Sequence, residues 1–160
     1  MMPRDCRQKG MFMKLPIFLA TIGLVASTAF AADDPIAARQ AIMDANGAAA
    51  AAAGGMLKGE IPYSPVVAKA TLASLNATAH TFGDYFPEGS ADPAKSAAAP
   101  KIWEDPAGFE AALAKFSTDV SAAMAASGKD GPADQAAFQA AIQPVLGNCR
   151  SCHETFRLKN

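Results

Sequence analysis

The chain has 160 residues, 51% of them hydrophobic, and a formal net charge of −1. That length allows one ordinary domain with an extension. From residue 32 onward, 10 Lys and Arg face 14 Asp and Glu, a net charge of −4, and this argues against a nucleic-acid binder, which needs clustered basic charge.

The first 31 residues read as a leader. Arg4, Arg7, Lys9 and Lys14 precede the apolar run Leu15 to Ala26, "LPIFLATIGLVA". The run has the length of a signal h-region and is too short to span a bilayer comfortably. Ala29 and Ala31 form the small-residue pattern that a signal peptidase reads, so the cut is placed after Ala31. This divides the chain into a signal peptide, 1–31, and a helical domain, 32–160. An uncleaved membrane anchor is the alternative, opposed by the polar "ADDP" beyond the cut. Met11 and Met13 are possible true starts. Cys6 leaves with the leader, so Cys149 and Cys152 are the only cysteines of the mature chain. Export means an oxidising compartment, where two thiols this close either pair or are consumed by something else.

The mature part reads as four helices with capped starts, near 34–58, 65–82, 105–127 and 133–158. Asp34-Pro35, Ser64-Pro65 and Asp105-Pro106 each place a capping side chain before a proline at the first helical position. "DGPAD", at 130–134, offers the fourth start. Gly59, Gly83 and Gly128 mark ends, and 83–104 reads as a long loop. Apolar residues recur every three or four positions. The second helix carries Ala68, Leu72, Leu75, Ala79 and Phe82. The third carries Phe109, Leu113, Phe116, Val120 and Met124. The fourth carries Phe138, Ile142, Val145, Cys149, Cys152 and Phe156. Four such stripes predict an all-α antiparallel four-helix bundle. Pro144, inside the fourth helix, is expected to kink it or to leave a carbonyl unpaired.

The first helix is less regular. Its expected stripe is Ile36, Arg39, Met43, Gly47, Ala50, Gly54 and Leu57, and "GAAAAAAGG" gives its middle turns almost no side-chain volume. Either the small residues serve close packing, or they make room for something flat opposite the cysteines.

Cys149-Arg150-Ser151-Cys152-His153 is a C-x-x-C-H motif. On a helix, i, i+3 and i+4 share one face. Three chemistries use this spacing. Two thiols and an adjacent imidazole attach and ligate a haem. Structural zinc would need a fourth ligand, and the one other histidine, His80, shares a face with Lys69 and Asn76 and reads as solvated. A dithiol redox pair is usually set at a helix start after a strand, and no strand is expected. Export, the absence of other mature cysteines and the helical core periodicity favour one covalent haem on the C-terminal helix.

"ARQAIMDANG", "MLKGEIPYS", "FPEGS", "APKIWED" and "PVLGNCRSCHETFR" resemble the class II c-type cytochromes, the cytochrome c prime family, and most resemble its low-spin cytochrome c five-five-six type. The resemblance runs from about Pro35 to Lys159. It implies a covalent haem, a periplasmic location and either electron transfer or gas binding, with no catalytic residue set. Dimerisation through the first two helices is common in the family, and the Ala-rich first helix is compatible with it.

What lies opposite His153 on the iron would decide the chemistry. A methionine thioether closes the site and suits electron transfer; an open site binds small gases. Met43 matches the family's low-spin sixth ligand, while its plainer reading is a core gap-filler. Met56 and Met124 read as packing. Arg39 would be costly to bury without an anion, so it either meets a haem propionate or extends to solvent. Arg157, four residues after His153 and expected on the same face, matches a basic residue of the family near the haem's proximal side. Trp103 is expected to anchor the long loop on the bundle, and Glu154 to face solvent. The combined expectation is a periplasmic monohaem cytochrome shuttling single electrons to periplasmic or membrane redox proteins. The rival is a five-coordinate high-spin member binding nitric oxide or carbon monoxide. The acidic mature balance points to a basic docking face on a partner.

Overall fold

A computed structural model describes residues 34–159. The leader, its cut after Ala31 and Cys6 lie outside the described residues. Four long helices carry the fold: α1 (Pro35–Lys58), α2 (Pro65–Thr81), α4 (Pro106–Ser127) and α5 (Gln135–Phe156). A 3-10 turn (Phe82–Tyr85) and a short helix α3 (Lys101–Glu104) lie in the long connection between α2 and α4.

Each long helix starts where a side chain takes over an orphan backbone donor. Asp34 accepts from the Ile36 N–H at 2.9 Å, Ser64 from Val67 at 3.4 Å, Asp105 from Gly108 at 3.0 Å and Asp134 from Ala137 at 2.8 Å. Gly59 ends α1 in the left-handed region, φ 74°, with its N–H on the Gly55 and Met56 carbonyls. Gly131 needs its lack of a side chain more acutely: φ is 96°, and a Cβ there would run into the Pro65 carbonyl.

α1 packs on α2 and α5, and α4 packs on the same two. The ends are antiparallel, because the core divides into two clusters by halves of helices. One joins Ala49, Ala53 and Met56 late in α1 to Ala68, Leu72 and Leu75 early in α2, with Val120 and Ala123 of α4 and Phe138, Ile142 and Val145 of α5. Full burial of each large side chain in it contributes about 1.5–3 kcal/mol. The other, at the opposite end, joins Phe82, Ile102, Phe109 and Phe156, with Ile42, Met43, Phe86, Trp103, Leu113 and Cys152 packed against them.

One expectation needs correction. On α1 the buried face of the second half is Ala49, Ala53 and Met56, while Gly47 is exposed. With only methyl groups and hydrogens from Gly47 to Gly55, periodicity could not define a face, and the large Met56 decided it by packing. Ala49 and Ala53 are therefore spent on close helix contact within the first cluster. α5 runs as one helix from Gln135 to Phe156 through Pro144; Pro144 has no N–H to offer the Ala140 carbonyl one turn earlier, and its own carbonyl accepts from the Asn148 side chain at 3.1 Å.

The expected loop 83–104, which contains α3, is paired to the end of α5. Ala98 and Arg157 form an isolated antiparallel bridge, with Ala99 N–H donating to the Phe156 carbonyl at 2.9 Å and Leu158 N–H to Ala97 at 2.8 Å. The connection is thereby tied to the turn that follows the cysteine motif. Among the described residues no helix is long and apolar enough to cross a membrane.

Candidate haem site

α5 places Cys149 and Cys152 on one face, both half-buried and not bonded to each other. Cys149 Sγ–H donates to the Val145 carbonyl at 3.7 Å. Burial raises the proton affinity of both thiols, and for Cys152 the neighbouring Cys149 adds to it. Neither is a resting thiolate, which is the wrong state for a dithiol redox nucleophile. Zinc fares no better. Among the described residues no three His, Cys, Asp or Glu side chains converge, and His80 is exposed on α2.

His153 is exposed one position beyond Cys152. Desolvation lowers its pKa, and the Arg157 charge lowers it further. That charge acts across a change of direction. α5 ends at Phe156, and Arg157 is extended, φ −114° and ψ 137°, because residues 97–99 draw the chain into pairing. Arg157 therefore does not share a helix face with His153, as its spacing suggested. Glu154 is exposed and meets Arg150 at 3.9 Å.

Met43 is half-buried and belongs to the same cluster as Cys152. Met56, fully buried, and Met124, partly buried, belong to the other. The cluster around Met43 is rich in aromatic rings: Phe86 meets Phe109 edge to face at 4.8 Å between centroids, and Phe109 meets Phe156 at 5.3 Å.

Arg39, one turn before Met43, is only 4% exposed. The alternative in which it reaches solvent is thus set aside. Its Nη2 donates to the Ser90 carbonyl at 2.8 Å and Nη1 to the Ser90 hydroxyl at 3.3 Å. The guanidinium lies 4.7 Å from the Phe86 ring centroid and 5.7 Å from that of Trp103. Trp103 donates to the Pro87 carbonyl within the connection at 3.3 Å, and its packing against the cluster of Phe109 and Phe156 and against Arg39 anchors the connection on the bundle as expected. Nε of Arg39 is buried without a partner. Arg39→Met, which keeps the length but removes the donors, is expected to lower the stability of the holoprotein by about 2 kcal/mol through the unpaired Ser90 carbonyl and the lost ring contacts. Urea denaturation measures it; an unchanged midpoint would show that the clamp contributes nothing.

Two contributors escaped the sequence reading. Ser90 is one. Asn148 is the other: it is buried and donates to Asp119 on α4 at 2.7 Å. Lys115, then Asn148, hold the Asp119 carboxyl below its usual range. This pair braces α5 against α4 one residue before Cys149. The available signal was a polar residue three positions after Val145, on the apolar stripe.

The residues present fit a flat, largely apolar group with acidic edges. Two adjacent thiols and an imidazole lie on one helix, aromatic rings line the cluster, and a buried guanidinium donor lacks an acceptor.

The cytochrome C′ family model matches residues 34–157. A cytochrome c′ of Rhodopseudomonas palustris is 42% identical over 151 residues, covering 92% of this chain and 99% of its own length. A cytochrome c-556 of Agrobacterium tumefaciens is 40% identical over 123 residues, covering 76% of this chain and 93% of its own. The solved structure of cytochrome c′ from Rhodopseudomonas palustris superposes with a TM-score of 0.72 at 38% identity, covering 79% of this chain and 98% of that one.

Proposed function

Because the chain belongs to the cytochrome c′ family, whose cofactor is one covalently attached haem c per chain, we propose that it is a periplasmic carrier of single electrons with a six-coordinate iron. Cys149 and Cys152 would hold the haem through their sulfurs, and His153 would ligate the iron from one side. Met43 would ligate it from the other. Bound, the haem iron supplies a one-electron couple, and a thioether opposite an imidazole raises its potential relative to two imidazoles.

One observation carries the choice of Met43. It shares an apolar cluster with Cys152, while the other methionines of the described chain pack in the opposite half of the bundle. The chain's own residues set the conditions. Phe82, Phe86, Phe109 and Phe156 belong to the apolar cluster against which Met43 and Cys152 pack, and so limit the access of water to them. Ser90 and the two rings fix Arg39, which leaves its Nε available to a propionate. Arg157 places a positive charge near His153. The leader over residues 1–31 and its removal after Ala31 belong to the same proposal, since covalent haem and a periplasmic location both require export.

The rival is a five-coordinate, gas-binding protein, and the presence of both a cytochrome c′ and a cytochrome c-556 among similar chains keeps it in view. Carbon monoxide added to the reduced holoprotein decides between them. A six-coordinate carrier is expected to keep sharp, unshifted low-spin bands. An immediate shift would mean an open position, and the carrier reading would give way to gas binding.

A further inference from the structure

The charge of the chain is unevenly placed. An open groove at the end of α5 is lined by Arg150, His153, Glu154, Arg157, Leu158 and Lys159. Its three cations face one carboxylate, which is already engaged with Arg150 at 3.9 Å. Elsewhere from residue 32 onward, 7 Lys and Arg face 13 Asp and Glu. Lys95 and Lys101, at the two ends of the segment paired with residues 156–158, each have an acid of their own, Asp92 at 3.3 Å and Asp105 at 3.4 Å. Among the described residues, Arg157 and Lys159 have none within 4.0 Å. The local excess is therefore positive, around the one exposed side chain of the C-x-x-C-H motif's ligand set.

We infer that this groove is the docking face for an acidic surface of the electron partner. The inference rests on the carrier reading above, and it reverses what the net charge suggests. Net charge governs the encounter only at long range. Fields from distant charges fade over a Debye length, about 10 Å at 0.1 M salt. Within that distance the charges beside the contact steer the approach and set its orientation. His153 is the most exposed of the site's side chains, with Cys149, Cys152 and Met43 half-buried, so its surroundings are what a partner meets when it approaches that side of the centre. Leu158 adds an apolar contact within the cationic rim.

The test uses two small redox probes of opposite charge on the reduced holoprotein: hexacyanoferrate(III), an anion, and tris(phenanthroline)cobalt(III), a cation. Stopped-flow oxidation by the anion is expected to accelerate as salt is lowered, and oxidation by the cation to slow. Lys159→Glu should then reduce the low-salt rate with the anion at least about threefold. Lys58→Glu makes the same change in net charge about 22 Å along α1 from Met43, and should leave the rate nearly unaltered. If the anion instead slows at low salt, as an acidic net charge acting alone requires, or if the two variants act alike, the docking face is overturned while the carrier reading stands. Carbon monoxide binding to the reduced wild-type protein would overturn the carrier reading, and the docking partner with it, whatever the salt dependence.

Discussion

The Cys149→Ala/Cys152→Ala double variant is expected to carry no haem that survives acid–acetone extraction, whereas the wild-type chain retains one equivalent. The two sulfurs are the only cysteine sulfurs from residue 32 onward. They are unpaired, and they lie on one face of α5 beside His153. Alanine is the best helix former, and both positions are only half-buried, so α5 itself should persist. Far-UV circular dichroism checks that, and the pyridine haemochrome assay of the extracted protein gives the haem count. Single variants should each retain a covalent bond through the remaining sulfur, with a shifted haemochrome band. A double variant that still held haem covalently would assign attachment to other residues. A wild-type chain that bound zinc and no haem would refute the haem site altogether.

Met43→Ala carries the second large effect. The reduced wild-type holoprotein is expected to ignore carbon monoxide, and the variant to bind it saturably, with a high-spin spectrum before the gas is added. Removing the thioether also removes its preference for the reduced iron, so the potential should fall. The control is Met56→Ala. Met56 is fully buried in the opposite half of the bundle. Its loss should cost about 2–5 kcal/mol of stability through lost burial and a cavity, yet leave the spectrum and the indifference to carbon monoxide intact. The contrast separates ligation from packing, since a methionine that merely fills space behaves like Met56. If Met43→Ala remains low-spin and unresponsive, another residue closes the position.

Arg39 ties these expectations to the fold. It precedes Met43 by one turn on α1 and is gripped by Ser90, Phe86 and Trp103, all from the connection between α2 and α4. The same connection is paired through Ala97 and Ala99 to the chain just beyond the cysteine motif. One segment therefore braces both sides of the proposed iron site. Asn148, held by Asp119, braces α5 from within the bundle. Each contact joins residues far apart in sequence, so no local pattern announces it.

Short-range chemistry was legible in the sequence. The capped starts at Asp34, Ser64 and Asp105, and the fourth start within 130–134 that the structure assigns to Asp134, rest on bonds spanning two or three residues, and the C-x-x-C-H motif rests on one helical turn. The stripes of α2, α4 and α5 carried enough apolar volume to point inward, so the bundle followed from them. Tertiary structure decided the rest. It turned the featureless alanine face of α1 by the packing of Met56, and it stopped α5 at Phe156, carrying Arg157 off the helix face. It gave Arg39 two rings and a carbonyl that no local pattern announced. It also gathered Arg150, Arg157 and Lys159 into a basic groove on an acidic chain. These outcomes depend on which surfaces meet, and that is set by competition among distant side chains for burial and for hydrogen-bond partners.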